Sequence, residues 1–190
     1  MSGKRVKGQY GYRNYHQKAQ AIKVAIGAAL ILAQLGARAL TDQEAAKNIL
    51  TVMAILSVLP TANLAAPLLA SWKYRTPPQA FYDRCRPLEQ KGTVLYDLIL
   101  TSKEQVMPMD TVLVHPKGVI ALCSRSGLDT KKAEQFLNGM FSAHKLDPHV
   151  RVFTDEKTFR RRADALQPAD QYEDDGSTAY AAGLLKNLSM

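Results

Sequence analysis

The chain is poor in cysteine, with two in 190 residues, and in aromatic residues, which make up 7% and include a single tryptophan. Two cysteines cannot build the disulfide-dense scaffold of a small secreted domain. There is no phosphate-binding glycine loop ending in Gly-Lys-Ser/Thr and no G-x-S-x-G elbow, which removes P-loop NTPases and hydrolases of that type. His16, His115, His144 and His149 lack metal-ligand spacing, so each reads as a satisfied or exposed imidazole. The most telling absence is charge: none occurs in the 25 residues from Asn48 to Trp72, a run rich in Leu, Val, Ile, Ala and Met.

As a helix that run reaches about 37 Å, enough to cross a hydrocarbon core of about 30 Å. Pro60 and Pro67 sit awkwardly in a long soluble helix, but lipid tolerates them where neighbours re-satisfy the freed carbonyls. Trp72, Lys73, Tyr74 and Arg75 close the run with the aromatic and basic side chains of a headgroup anchor. An earlier apolar run, Val24 to Ala37, is shorter at 14 residues, and snorkelling by Lys23 extends it back to Ala19. Ala21, Ala25, Ala29 and Ala33 recur every four residues in the first segment, and Ala62, Ala66 and Ala70 in the second. Smooth faces of this kind let two membrane helices approach closely. Residues 19–75 are therefore expected to form a two-helix transmembrane hairpin. Ala37-Arg38-Ala39 has the small-x-small form of a signal-peptidase site, but the basic leader before it is too long for a signal peptide.

The net charge of +8 is unevenly distributed. Residues 1–23 carry +6, residues 24–72 balance to zero, residues 73–91 carry +3 and residues 92–190 carry −1. Positive charge on both flanks of the hairpin and a neutral loop between them predict a multi-pass cell-membrane protein with both termini cytoplasmic. The near-zero charge of the polar part argues against nucleic acid as its partner. Membrane lipid and a membrane protein packed on the hairpin are the expected partners.

Residues 1–18 form a basic leader, residues 79–166 carry the pattern of a small α/β domain, and residues 167–190 read as an acidic linker with a short terminal helix. Thr93–Thr101, Asp110–His115, Gly118–Cys123 and Val150–Phe153 are strand runs, with Pro116-Lys117-Gly118 as a hairpin turn. Asp129 caps a helix to about Lys145, and Thr154 or Asp155 caps another through Leu166.

The order helix, three strands, helix, strand is that of a restriction-endonuclease-like αβββαβ core. The stretch from Asp110 through His115, Pro116 and Gly118 to Cys123 and Arg125 resembles the central motif of the nuclease-related domain, a branch of that superfamily. The family pattern is Asp, an apolar strand, a turn ending in Gly, a second apolar strand, then Glu-x-Lys. Here Cys123 stands at the Glu position and Arg125 at the Lys position. The resemblance implies a metal-dependent nuclease fold, and the two departures imply lost catalysis. A soft thiol replaces a hard carboxylate, and a guanidinium cannot act as a base. The expectation is a membrane-tethered, non-catalytic binding or scaffolding domain that needs no cofactor. The alternatives are an active Mg²⁺-dependent nuclease that recruits Glu89 and Asp97 beside Asp110, and a small accessory subunit of a membrane complex.

Overall fold

The computed structural model describes residues 5–125, 127–173 and 175–190. The chain divides into two compact units: one from residue 14 to 74, the other from the residues up to Arg13 together with residues 75–190.

The first unit holds α1, from Tyr12–Leu40 less its first two residues, and α2, Glu44–Ser71. Both are long and apolar enough to cross a membrane, and only 6% of each apolar window is buried. That exposure is the opposite of a soluble core helix, whose apolar residues face protein. Ile26, Leu30, Leu32, Ile55, Leu56 and Leu59 all point outward. Helix α2 runs unbroken through Pro60 and Pro67.

The residues that leave the surface follow a different register from the alanine stripes. They include Gln17, Ala21, Val24, Gly27, Ile31 and Gln34 on α1, and Ala54, Ser57, Thr61, Ala65 and Leu68 on α2. Ala25, Ala29, Ala33, Ala62, Ala66 and Ala70 are exposed, and of the expected packing alanines only Ala21 is half-buried. A four-residue repeat drifts by about 40° per step at 3.6 residues per turn, whereas alternating steps of three and four hold one face toward a partner. The helices approach closely at Gly27, where a Cβ would lie 2.5 Å from Thr61 Oγ1. At one end Gln17 Nε2 donates to the carbonyls of Ser71 and Tyr74 at 2.6 and 2.7 Å.

The second unit is a three-layer α/β sandwich. Strands β1 (Thr93–Thr101), β2 (Val106–His115) and β3 (Gly118–Leu122) form an antiparallel meander, and β4 (Val150–Phe153) adds in parallel to β3. Helices α4 (Thr130–Ala143) and α6 (Ser177–Leu188) cover one face through Leu137, Phe141, Ala182 and Leu185. Helices α3 (Gln79–Cys85) and α5 (Glu156–Asp164) cover the other through Phe81, Cys85, Phe159 and Ala163. Asp129 and Asp155 cap α4 and α5 by accepting from the backbone N–H three residues on. The expected order of helix, three strands, helix and strand is present.

The unit is wider at both ends than residues 79–166. Helix α6 contributes to the main core, and Met190 N donates to Ile99 O at 3.0 Å. At the other end Gly8 bridges Tyr96, whose N–H donates to Gly8 O at 2.8 Å. Gly8 has φ +89, and a Cβ there would sit 3.0 Å from Leu95 Cδ2, so the close approach needs glycine. Both outer edges of the sheet are thus covered: β1 by the two chain ends, and β4 by Glu134 and Asn138, which accept from Val152 N and Val150 N.

Candidate functional site

Two carboxylates interrupt otherwise apolar strands at the same level. The register passes from Tyr96 opposite Thr111 to Leu98 opposite Met109, and Asp97 and Asp110 form no ladder pair. Side chains alternate along a regular strand, so Leu95 and Leu98 should face opposite ways. Both nevertheless face the α4/α6 core, and so do Met109 and Val112 on β2. Alternation slips on both strands at this point, with Asp97 in the left-handed region at φ +58.

Arg13 occupies the break. Its guanidinium meets four oxygens: Nη1 donates to Asp110 Oδ1 at 3.1 Å and to Arg75 O at 2.9 Å, and Nη2 to Leu98 O at 3.2 Å and Met109 O at 3.0 Å. The side chains of Arg13 and Asp110 are only 2% and 8% exposed, which makes this a buried ion pair. Asp110 Oδ2 accepts from Ser124 N at 2.8 Å and from Ser124 Oγ at 2.5 Å. Both oxygens of Asp110 are therefore engaged.

Asp97 lies beside it. Its Oδ2 accepts from Gly11 N at 2.8 Å, Arg13 N at 3.4 Å and Thr76 Oγ1 at 2.7 Å, while Oδ1 is buried without a partner. Burial pushes the Asp97 carboxyl above its ordinary pKa, and Arg13 and these hydrogen bonds oppose the shift. Asp97 thus holds Gly11 and Arg13 through their backbone N–H groups, and Asp110 holds Arg13 through its guanidinium.

The remaining motif positions are not assembled into a metal site. Cys123 is fully buried in the main core, where burial raises its thiol pKa and Arg125 contributes a backbone N–H. Arg125 is exposed beyond β3. Glu89 is exposed and accepts from the Tyr96 hydroxyl at 3.0 Å, with Tyr96 packed in the α3/α5 core. Among the described residues no three of His, Cys, Asp and Glu gather closely enough to hold a metal ion. The convergence of Glu89, Asp97 and Asp110 expected of a rearranged nuclease is thus not found. Asp97 and Asp110 do meet, but around an arginine, and Glu89 stands apart.

Nothing matches this chain in comparisons with protein-family models, curated proteins or solved structures. The nuclease-like interpretation accordingly rests on the Asp110–Arg125 motif and the element order.

The anchor residues divide. Trp72, Lys73 and Arg75 are exposed, as an interfacial anchor requires, whereas Tyr74 is buried. Tyr74 N donates to Ser71 O at 2.9 Å and its carbonyl accepts from Gln17, so the backbone is tied into a turn and the ring is withdrawn from the surface. Tyr10 stacks on Tyr82 of α3 at 4.6 Å. The residue that sequence reasoning missed is Arg13, which looked like one more charge of the basic leader. The available signal was two acids, Asp97 and Asp110, inside strands otherwise apolar enough to be buried. Such acids call for a buried cation.

Proposed function

We propose that this chain is a membrane-tethered, non-catalytic binding module whose nuclease-like α/β unit is held at the cytoplasmic face by a helical hairpin. One observation carries this reading: Asp110, the carboxylate at the motif's expected metal-binding position, is neutralised by Arg13 and hydrogen-bonded by Ser124 of the same chain. A buried guanidinium with four oxygen partners is costly to remove, because the carboxylate and carbonyls it leaves would be buried and unpaired. The Cys123 and Arg125 departures support the same conclusion.

Topology is supported by the make-up of the α/β unit. Residues 5–13 precede the hairpin and residues 75–190 follow it, yet they belong to one unit. That favours both ends of the hairpin in one compartment, and the excess of Lys and Arg on both flanks favours the cytoplasm.

The test uses the full chain in maltoside micelles, incubated with single- and double-stranded DNA and with RNA in Mg²⁺ or Mn²⁺. The expected result is no cleavage above that of D110N. Metal-dependent cleavage that disappears in D110N, with native circular dichroism retained, would overturn the proposal.

A second reading, an accessory subunit of a membrane complex, is favoured by the outward position of Ala25, Ala29 and Ala33, a smooth strip open to another helix. If a partner co-purified from detergent survives replacement of all three by leucine, that reading fails.

A further inference from the structure

On the α/β unit Arg5, Tyr10, Gln79, Tyr82, Glu89 and Tyr96 line a groove of about 530 Å³. Small-molecule sites span roughly 300–1,000 Å³. Its walls come from the amino-terminal segment, α3, the 3-10 turn that follows α3, and β1, so it exists only while residues 5–10 are docked. Three tyrosines form a rigid cluster. Tyr10 stacks on Tyr82, and Tyr96 meets Tyr82 edge-on at 5.1 Å. Two of their hydroxyls are already committed, Tyr10 to Pro77 O at 2.7 Å and Tyr96 to Glu89 Oε1 at 3.0 Å. Burial and the hydrogen bond to Glu89 hold the Tyr96 phenol far above its ordinary pKa, so Tyr96 remains the donor of that bond. Arg5 Nη1 donates to Tyr10 O at 2.8 Å, and no further hydrogen bond ties its guanidinium among the described residues. No ion pair joins Arg5 to Glu89 among the described residues.

Aromatic rings beside a carboxylate attract organic ammonium groups, and a guanidinium fork attracts anions. We infer that this groove binds a small zwitterion, with its alkylammonium against Glu89 and the tyrosines and its anionic group on Arg5. This deepens the binding-module reading without depending on lost catalysis. Nucleic-acid cleavage would overturn that reading and leave the groove's chemistry unchanged. The same zwitterionic chemistry occurs on free small molecules and on phospholipid headgroups.

Phosphocholine is the probe, titrated calorimetrically into the full chain in maltoside micelles, with tetramethylammonium as the half-ligand control. Wild type is expected to bind phosphocholine with a submillimolar Kd. E89Q weakens both phosphocholine and tetramethylammonium by about tenfold or more, whereas R5A weakens phosphocholine and spares tetramethylammonium. Repeating the titration in nanodiscs identifies the source. Weaker binding in phosphatidylcholine than in phosphatidylglycerol nanodiscs assigns the groove to a lipid headgroup, and equal binding assigns it to a free zwitterion. Absence of phosphocholine binding, or unchanged binding by E89Q, overturns the inference.

Discussion

The hairpin and the α/β unit bury opposite kinds of surface. In the α/β unit the interior is Leu, Val, Met and Phe, and the main charged exception is Arg13 with Asp97 and Asp110. In the hairpin the large apolar side chains face outward, and the seam is lined by Gln17, Gly27, Gln34, Ala54, Ser57 and Thr61. Both hairpin helices are long and apolar enough to cross a membrane. Lipid gives apolar side chains no reason to turn inward, so small and polar groups mark the helix contact. Water drives apolar groups inside, and a buried charge persists only with its counter-charge. In each region the residue that breaks the local pattern is therefore the one that identifies its neighbour.

That contrast can be broken most severely at Arg13. R13M leaves Asp110 and the Leu98 and Met109 carbonyls without their donor, and should cost about 3–5 kcal/mol. Pulse proteolysis of the α/β unit across a urea series measures the loss, and a cost under about 1 kcal/mol would make the junction incidental.

In the hairpin the corresponding test compares seam with outer face. G27L forces side-chain atoms into Thr61 and should weaken the helix pair by about 1–3 kcal/mol. A29L, on an exposed position, should change little. Thermal unfolding in micelles reads both, and equal effects would return the alanine stripe to the interface.

A smaller effect concerns Asp97, whose native pKa is raised above its ordinary 3.8. Because the native state holds this proton more tightly than the unfolded chain does, its contribution to stability is fully present below the unfolded pKa. The contribution is lost as pH rises through the native value. D97N keeps an oxygen acceptor and removes the ionisation. It should flatten that part of the wild-type profile and cost no more than about 1 kcal/mol at neutral pH. A D97N profile parallel to wild type would show that Asp97 does not titrate in this range.

The smallest effect is on thiol chemistry. Cys85 and Cys123 are both fully buried, and burial raises both pKa values. Neither should react with an aromatic disulfide reagent in the native protein at neutral pH, and both should react after unfolding.

Much of the fold was legible because it is local. Thr93–Thr101 and Val150–Phe153 are strands over the bounds their apolar runs imply, and Asp129 and Asp155 cap the helices they precede. The hairpin was legible from the loss of charge, since membrane thickness sets the length of an apolar helix. What failed depended on distant partners. Arg13 reaches Leu98, Met109 and Asp110 across 85 to 97 residues of intervening chain. No periodicity encodes that, so a structural cation was counted with the leader's charge. Helix α6 was legible as a helix but not as part of the core, because Ala181, Ala182, Leu184 and Leu185 are a short apolar run that either reading accommodates. The alanine stripes misled for a geometric reason: even spacing by four does not stay on one face. Part of the acidic stretch expected as a linker, Asp174, lies outside the described residues.

Arg13 is the buried counter-charge of Asp110 in the α/β unit. A thermodynamic cycle of R13M, D110L and the double variant in the full chain tests it most directly. The double variant is expected to lose much less stability than the two single losses together, with a coupling of at least about 1.5 kcal/mol, as for contacting residues in one buried network. Single losses that add within about 0.5 kcal/mol would contradict it.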